Sequence, residues 1–416
     1  MTERRVVITG LGAVSCAGNS VPALWENLLA GRSGIGKITL FDGSGLACPL
    51  GEVRDFFPED VTPREARRMA RNTLFAVGAA DEAMTGAGLE RTAGKICCDP
   101  FRFGVLFSNG AGGVEVYDQN AEILARRGPD GVSPFFVPKY IANTACSTAA
   151  IRWGLRGPNF DPVSACASSA HAIGEAAWMI RRNDADMMLA GGAEACLNRL
   201  LTGGFYALTA LSCGSPPEKA CRPFDLHRDG FVLAEGAAAL VLEELEHARS
   251  RAAAILAEVA GYGASCDATH LTAPDPTGEG IIRAIRRALE MADVAPAGIG
   301  AIYAHGTGTK ANDRVEARAF GSVFGKALEN IKVCAVKSMI GHALSASGAL
   351  AAVAAVRTLC TGLLPPTINH TACDPECPLD VNADGPARVD AGAVLIDAMG
   401  FGGHNAALVL KRWEGK

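Results

Sequence analysis

Short runs of β-branched and aliphatic residues alternate along this chain with longer alanine-rich stretches, which is the pattern of an α/β protein. Strands are predicted for "RVVITGLG" and "RFGVLFSNGAGG", each ending in glycines, and for "DADMMLAGGAEA" and "GAAALVLEELEHARS". Amphipathic helices are predicted for "TLFAVGAADEAMTGAG" and for "VPALWENLLAG", with Gly31 as the C-terminal stop of the latter.

The second part of the chain repeats the pattern of the first without evident sequence identity. "GAIYAHGTGT" resembles "RFGVLFSNGAGG", and "KVCAVKSMIGHALSASGALAAVAAVRTL" resembles "FDPVSACASSAHAIGEAAWMIRR" as strand, small-residue turn and helix. "AVLIDAMGFGGHNAALVLKRW" supplies closing strands. We therefore predict two pseudo-repeated halves, residues 1–250 and 251–416. Their loop tips would meet at a shared seam, which is where an active site is expected.

Composition narrows the class of protein. The chain has 416 residues, of which 49% are hydrophobic and 20% charged, as in a soluble, well-packed enzyme. The net charge of −5 argues against binding of nucleic acid by the chain as a whole. We identify no signal peptide and no stretch of membrane-spanning length. The 14 cysteines are scattered and lack zinc-site spacing, which predicts free thiols, a reducing cytoplasm and no metal site.

Cys166 differs from the other cysteines, because in "VSACASSAHAIG" it lies where a strand gives way to a helix. The unpaired amides and the dipole at a helix start favour a thiolate, so we expect a lowered pKa for this thiol. The small neighbouring residues leave room for a substrate. The alternative is a buried structural cysteine, which is our interpretation of most of the others.

Two histidines and a lysine occupy comparable positions. His305 ends a strand in "YAHGTGT", and His342 precedes the second-half helix in "VKSMIGHALSASG". Taken alone, each histidine could equally be a core or helix-capping residue. Together with Cys166, however, they place a nucleophile and two imidazoles at the ends of predicted strands. Lys337 sits in an apolar strand end, where an ammonium is costly without a partner. The loop "GFGGHN" offers backbone amides to a developing oxyanion.

With these residues in place, the chain resembles the condensing enzymes, specifically the elongating type II β-ketoacyl-[acyl-carrier-protein] synthases. The motifs that carry the resemblance run in order over nearly the whole chain: "VVITGLGAVSCAGNS", "SPFFVP", "GLRGPN", "SACASSAHAIGEA", "RPFDLHRDGFVLAEGAAALVLE", "AHGTGTKANDRVEA", "VKSMIGHALSASGA" and "GFGGHNAALVL". The resemblance implies a thiolase-like α/β fold, five-layered αβαβα with two similar halves, and a dimer formed near the nucleophile strand.

The resemblance also implies catalytic roles. Cys166 would carry the acyl chain as a thioester, and its amide and that of Phe401 would form an oxyanion hole. His305 and His342 would serve decarboxylation of a malonyl thioester and stabilise the enolate. Lys337 would orient this cluster, and Phe401 would also gate entry of the acyl chain.

Further residues are implied as substrate contacts or structural supports. Thr307 and Thr309 match positions that hydrogen-bond a phosphopantetheine arm. The complete set of implied substrate-binding residues is Thr307, Thr309, Ala111, Phe136 and Gly402. In "HGTGTKANDRVEA" two acids, Asp313 and Glu316, would hold the loop around His305. No cofactor is implied, since phosphopantetheine enters on the carrier protein.

A basic stretch is the predicted docking site for an acidic acyl carrier protein. "PREARRMARN" places Arg64, Arg67, Arg68 and Arg71 at helical spacing, and it resembles the family's carrier-docking helix. Arginines 126–127 are a second, weaker candidate. A merely solvated basic face remains the alternative.

Several positions depart from the family pattern. Ala351 stands where a glutamate is usual, so Lys337 would lack its common counter-charge unless Asp397 supplies one. Asp397 and Met399 replace a common asparagine and phenylalanine in the closing loop. Ala111 replaces a larger residue at the wall of the acyl pocket, which leaves room for a longer or bulkier primer.

The sequence therefore predicts a decarboxylative Claisen condensation of an acyl thioester on Cys166 with malonyl-[acyl-carrier protein]. The product would be a 3-oxoacyl-[acyl-carrier protein], and the departures favour specialised polyketide or secondary-metabolite synthesis over fatty-acid synthesis. Two alternatives stay open: a non-elongating acyltransferase or thiolase-like enzyme, and a silent pocket-shaping subunit. The expected partners are an acyl carrier protein and either a second copy or a chain-length-factor homologue, with Cys166 marking this chain as catalytic.

Overall fold

A computed structural model of the protein describes residues 4–92, 95–96 and 98–415. The strands run, in chain order, β1 (Val6–Ser15), β2 (Arg91–Thr92), β3 (Lys95–Ile96), β4 (Phe103–Ser108), β5 (Asn159–Phe160), β6 (Met187–Glu194), β7 (Gly236–Glu244), β8 (Ala257–Cys266), β9 (Ile299–Tyr303), β10 (Lys332–Cys334), β11 (Leu363–Leu364), β12 (Ala387–Arg388), β13 (Ala393–Gly400) and β14 (His404–Arg412).

Helices connect these strands and cover their faces. They are α1 (Val21–Leu29), α2 (Pro63–Ala66), α3 (Arg71–Gly86), α4 (Val114–Arg127), α5 (Phe136–Tyr140), α6 (Thr144–Trp153), α7 (Ser168–Arg181), α8 (Arg199–Ala207), α9 (Leu245–Ser250), α10 (Glu279–Ala292), α11 (Lys310–Phe324), α12 (Lys337–Ile340) and α13 (Ser347–Thr361). Helix α1 ends as predicted, with Gly31 in the left-handed conformation at φ 65°.

The large sheet has a symmetric strand order, β10-β9-β13-β14-β8-β1-β7-β6-β4-β5. Strand pairing at the midpoint of the sheet is short, because β1 and β8 pair only at Val7–Glu258 and Ile8–Ala257. On each side of this junction an antiparallel central strand is followed by a second antiparallel strand and then by parallel ones. The sheet is therefore two five-strand units of similar topology that meet edge to edge.

Five layers result from where the helices pack. Helices α7 and α13 lie together between the two sheet units, and a Cβ on Gly348 of α13 would lie only 2.9 Å from the backbone nitrogen of Ala170 in α7. Helix α3 covers β1 and β7 from outside, and α10 covers β8 and β14. The predicted five-layered αβαβα fold is confirmed.

The glycines of the first strand have a packing role that the sequence did not reveal. The prediction that "RVVITGLG" ends at its glycines is wrong, because β1 continues to Ser15. A Cβ on Gly10 or Gly12 would lie 2.0 or 1.8 Å from carbonyl oxygens of α3, so the glycines let that helix lie directly on the strand. Gly261 and Gly263 of β8 repeat the arrangement against α10, each with 2.0 Å to a carbonyl oxygen.

Three other predictions need correction. "GAAALVLEELEHARS" is strand β7 only as far as Glu244 and then turns into helix α9. Lys337 begins the single helical turn α12, beyond the end of β10. The stretch Leu344–Thr361 is long and apolar enough to cross a membrane, contrary to the sequence prediction. It forms a 3₁₀ turn and the central helix α13, and 78% of it is buried inside the protein.

We expect Gly12→Ala to destabilise the protein by about 1–3 kcal/mol or more, because the new methyl group meets helix backbone that has no room to retreat. Gly321→Ala in α11 is the matched control, since a Cβ there meets nothing within 4 Å and alanine favours helix. Urea unfolding of both variants checks the prediction. Equal midpoints for the two would contradict it.

Candidate active site

Cys166 lies in a strained turn at the head of α7. The turn Ala165–Ala167 is a short 3₁₀ segment, and Ala165 takes φ 51°, an unfavourable conformation for a residue with a side chain. The Ser168 hydroxyl donates to the Ala165 carbonyl at 2.6 Å and accepts from the Ser164 amide at 2.8 Å. These two hydrogen bonds stabilise the strained backbone of the turn and fix the thiol at the start of helix α7.

The expected low pKa of this thiol is wrong. Burial raises the pKa of Cys166 to about 11, which outweighs the lowering by the Lys337 ammonium and by the Phe401 backbone amide. Glu194 raises it further by charge repulsion. The helix start is real, but the side chain is only 9% exposed and loses its water. Cys166 is therefore a neutral thiol near pH 7.

The glycine loop after β13 approaches the nucleophile closely. A Cβ on Gly400 would lie 2.6 Å from the Ser164 carbonyl oxygen and 3.2 Å from the Cys166 amide nitrogen, so only glycine permits this approach. The Phe401 amide donates to the Cys166 thiol. The backbone N–H groups of Cys166 and Phe401 thus both lie within hydrogen-bonding reach of the Cys166 sulfur.

His305 and His342 face one another, with ring centroids 5.3 Å apart and planes at 86°. The Lys337 ammonium lies 3.4 Å from His305 Nδ1, and the Ser347 hydroxyl lies 2.9 Å from His342 Nδ1. The Lys337 ammonium can only donate to His305 Nδ1, which puts the hydrogen of that ring on Nε2. We assign His342 the same tautomer, in which its Nδ1 accepts from the Ser347 hydroxyl. Burial and the Lys337 charge hold the pKa of both imidazoles well below its usual value. Both are neutral N–H donors at pH 7.

Lys337 is buried beside this pair and anchored by its other bond. Its Nζ donates to the His305 carbonyl oxygen at 2.5 Å. Burial lowers the pKa of Lys337, while the charges of Glu316 and Asp397 raise it. Ala351, at the position where a glutamate is usual, lies in the apolar core formed around α13. Glu316 and Asp397, not residue 351, are therefore the acids whose charges support the ammonium.

A cavity of about 590 Å³ connects these groups and has walls of two kinds. Cys166, His305, His342 and Phe401 line it. Its apolar wall includes Ala111, Leu201, Phe205, Leu208 and Leu344, whereas its polar wall includes Thr307, Thr309, Lys310 and Asn312. An apolar chain and a polar arm can thus meet at the thiol.

The structure places the predicted substrate-binding residues unequally. Thr307 and Thr309 lie with their hydroxyl oxygens 3.0 Å apart in the cavity wall, and Ala111 also lines the cavity. Gly402 does not line the cavity, and its amide donates to the Leu271 carbonyl oxygen at 2.7 Å. Phe136 lies outside the cavity too, because on α5 it stacks with Tyr140 at 5.6 Å.

Three of the four arginines in the predicted docking stretch, Arg64, Arg67 and Arg68, are exposed, but they do not share one helix. Helix α2 ends at Ala66, so Arg64 is separated from Arg67 and Arg68, although all three side chains face solvent. Arg71 belongs elsewhere: it pairs with the buried carboxylate of Glu235 at 2.5 Å. The helical spacing in the sequence is broken at this point, and Arg71 has a structural function.

Sequence reasoning missed Glu194, which ends β6 and lines the cavity. Its carboxylate accepts from the Ser345 hydroxyl at 2.7 Å and from the amides of Gly110 and Ala111 at 3.1 and 3.2 Å. The sequence contained one signal for Glu194, which is its position at the end of a predicted strand, just after the glycine-rich run in "AGGAE". The carboxylate ties the 110–111 turn of the first half to the His342 segment of the second.

The comparisons with known proteins agree with this geometry. Residues 3–248 match the family model "Beta-ketoacyl synthase, N-terminal domain", and residues 256–371 match "Beta-ketoacyl synthase, C-terminal domain". The chain is 43% identical over 417 residues to 3-oxoacyl-[acyl-carrier-protein] synthase 2 of Staphylococcus aureus (strain COL), with 99% of each chain covered. The chain belongs to the β-ketoacyl synthase family.

Two solved structures are similar throughout. The ishigamide ketosynthase/chain length factor is 37% identical with a TM-score of 0.90, covering 99% of this chain and 100% of that one. The complex AntDE:AntF, a type II PKS acyl-carrier protein in complex with its ketosynthase bound to the hexaketide, is 32% identical with a TM-score of 0.90 and the same coverage. The thiolase-like fold and the activity of a C–C bond-forming acyltransferase that elongates acyl thioesters are thereby established.

The pKa of about 11 predicts how Cys166 reacts with iodoacetamide. Its alkylation rate should rise about tenfold per pH unit between pH 7 and 9.5 without a plateau, because only the thiolate reacts. Lys337→Met should slow alkylation at each pH, since the ammonium lowers this pKa. Peptide mass spectrometry isolates Cys166 from the other thiols, with Cys166→Ala as control. A plateau below pH 8 would contradict the prediction.

Proposed function

We propose that this chain condenses an acyl group held on Cys166 with malonyl-[acyl-carrier protein] in specialised polyketide or secondary-metabolite synthesis. The observation that carries the reaction is the meeting of a thiol, two neutral imidazole N–H donors and two backbone amides at one cavity. We also propose that residues 1–250 and 251–416 are its two functional halves, with the thiol on the first and both imidazoles on the second.

In the first half-reaction, the Cys166 sulfur attacks the carbonyl carbon of the incoming acyl thioester. The thiol proton is transferred to the departing carrier sulfur, so the carrier leaves as a thiol. The oxyanion of the tetrahedral intermediate lies between the amides of Cys166 and Phe401. The product is an acyl-Cys166 thioester.

In the second half-reaction, the malonyl carboxylate leaves as CO₂ and its bond electrons form an enolate. The Nε2–H groups of His305 and His342 donate to the enolate oxygen, which removes the need for a strong base. The enolate carbon attacks the acyl-Cys166 carbonyl and the sulfur leaves as a thiolate. One proton from solvent restores the thiol, so the step balances as loss of CO₂ and gain of one C–C bond.

This chemistry supplies its carbanion by losing CO₂, so we propose that the protein needs no metal and no cofactor of its own. Phosphopantetheine would enter on the carrier protein, with Thr307 and Thr309 hydrogen-bonding its arm. Phe401, which is 37% exposed beside the thiol, would move as the acyl chain enters. We expect the enzyme to work in the cytoplasm, without nucleic acid or membrane partners.

The specialised pathway is supported by Ala111 in the cavity wall and by the similarity to ketosynthases that work with polyketide carrier proteins or chain length factors. Fatty-acid elongation is the second candidate, since the relative named 3-oxoacyl-[acyl-carrier-protein] synthase 2 shares the higher identity, 43%.

We propose that the protein works as a dimer across strand β5. This strand is the outer edge of the sheet, both its residues are exposed, and the nearby Val163 is 58% exposed. The partner is either a second copy or a chain-length-factor homologue. Phe136, with its neighbours on α5, is proposed to contact substrate only in this dimer.

A primer panel tests the pathway. The purified protein is incubated with saturated, unsaturated and aryl acyl-carrier proteins, then with malonyl-carrier protein, and its intact mass is followed. The proposal predicts a Cys166 adduct that turns over fastest with unsaturated or aryl primers. Fastest turnover with saturated primers would favour fatty-acid elongation. An adduct that never turns over, even with a chain-length-factor homologue added, would indicate a non-elongating acyltransferase.

Carrier docking is tested by charge reversal. Arg64→Glu, Arg67→Glu and Arg68→Glu together should raise KM for malonyl-carrier protein at low salt by about tenfold or more, because exposed charges steer the acidic carrier. Turnover of malonyl-pantetheine should not change. The matched control reverses Arg283, Arg286 and Arg287, which are equally exposed on α10. Equal effects of the two triple variants would indicate only a solvated basic face.

A further inference from the structure

Two buried carboxyl groups clasp the backbone of the His305 loop. Glu316 of α11 accepts through Oε2 from the Gly306 amide and from Asn312 Nδ2, both at 2.9 Å. Asp397 of β13 accepts through Oδ1 from the His305 amide at 3.1 Å. Each acid therefore holds the loop through one of its two oxygens. The two acids come from different elements and meet only at this loop.

The second oxygen of each acid needs a partner. Glu316 Oε1 and Asp397 Oδ2 are buried, and neither has an N–H or O–H donor among the described residues. The two side chains lie within hydrogen-bonding reach of one another. Two carboxylates in contact inside a protein cannot both ionise, whereas one carboxylic acid can donate its proton to the other. A single shared proton satisfies both oxygens.

The singly charged acid pair has a buried cation beside it. Lys337 is 3% exposed, and its ammonium feels the charges of both Glu316 and Asp397. Burial raises the pKa of Glu316 well above its usual value and that of Asp397 only to about 6. Near pH 7 the proton is therefore on Glu316 and the negative charge on Asp397.

The other titratable or charged groups around the cluster do not cancel this charge. They are Cys166, Cys221, Arg228, His305, Asp313, His342 and Cys377. Both imidazoles are neutral, and the buried thiols have raised pKa values. Asp313 and Asp374 share the Arg228 guanidinium, at 3.6 and 2.5 Å, and burial raises the pKa of Asp313. Arg228 is thus engaged by acids outside the pair, and the acid pair supplies the counter-charge of the Lys337 ammonium.

We propose that Asp397 is a positioning residue, which shares one proton with Glu316 so that their single negative charge keeps Lys337 protonated against His305. The ammonium then donates to His305 Nδ1, which fixes the hydrogen on Nε2 where the enolate forms. This inference rests on the proposed function of His305, but the state of the acid pair is measurable without any reaction.

The direct test is infrared difference spectroscopy of the folded protein at pH 7.5. The wild type should show the C=O stretch of the protonated acid pair, besides bands from other buried acids such as Asp161, whose pKa burial raises to about 7. Asp397→Asn should abolish the band of the acid pair, because Glu316 then ionises to accept from the asparagine amide and to balance Lys337. Glu316→Gln should abolish it as well. Asp374→Asn, in a buried acid paired with Arg228 outside the cluster, is the matched control and should keep the band.

The rate of malonyl decarboxylation distinguishes the proposed charge-sharing role of the acid pair from a purely structural role. Each single variant keeps one carboxylate, so malonyl decarboxylation at pH 7.5 should fall less than about tenfold. The double variant Asp397→Asn/Glu316→Gln leaves Lys337 unbalanced and should lose about a hundredfold more than the product of the single effects, within the usual range for coupled residues. Additive effects would overturn the proposal.

The pH dependence of malonyl decarboxylation tests the protonation state of the acid pair. In the wild type the pair takes up its second proton as the pH falls through about 6, and decarboxylation should fall with it. In Asp397→Asn the anion is Glu316, and this limb should move to higher pH, because the asparagine amide stabilises that anion less than the Glu316 carboxylic acid stabilises the Asp397 anion in the wild type. An unmoved limb, or an acid band that persists in Asp397→Asn, would overturn the proposal. If the wild type releases no CO₂ at all, the proposed function fails, and the infrared band still decides the acid pair.

Discussion

The burial of charge and of titratable groups at the seam between the two halves is the constraint on which the site depends. A thiol, two imidazoles, an ammonium and two carboxyl groups lie there with almost no solvent contact. Burial favours the neutral form of each group, so the thiol and both imidazoles are uncharged near pH 7. Lys337 and the acid pair carry opposite charges and stabilise one another. The chemistry is accordingly that of neutral hydrogen-bond donors.

The symmetric fold explains how these groups meet. Each half places a 3₁₀ turn before its central helix, and each turn begins with a strained residue, Ala165 at φ 51° and Leu344 at φ 41°. Cys166 lies inside the first turn and His342 just before the second. Because α7 and α13 pack against each other in the middle layer, their N-terminal ends bring both side chains to one cavity. The glycines of β1 and β8 allow the outer helices to pack directly on the strands.

Much of the fold and the site was accessible from the sequence. Alternating strand and helix patterns indicated the layers, and motif order identified Cys166, His305 and His342, since strand-end positions are marked by local small residues. The pKa of Cys166 was not accessible, because helix-start and burial effects oppose one another and only the packing decides. Arg71 was misassigned because the helix breaks after α2. Glu316 and Asp397 are 81 positions apart in the numbering, so the proximity of their side chains depends on how α11 and β13 pack.

The most direct test of this account is release of labelled CO₂ from malonyl-carrier protein by His305→Ala, measured beside intact-mass detection of the acyl-Cys166 adduct. The account predicts that CO₂ release falls at least about a hundredfold, because an enolate-binding donor is lost, while the adduct still forms. Unchanged CO₂ release with an intact adduct would contradict the assignment of His305 as an enolate-binding N–H donor.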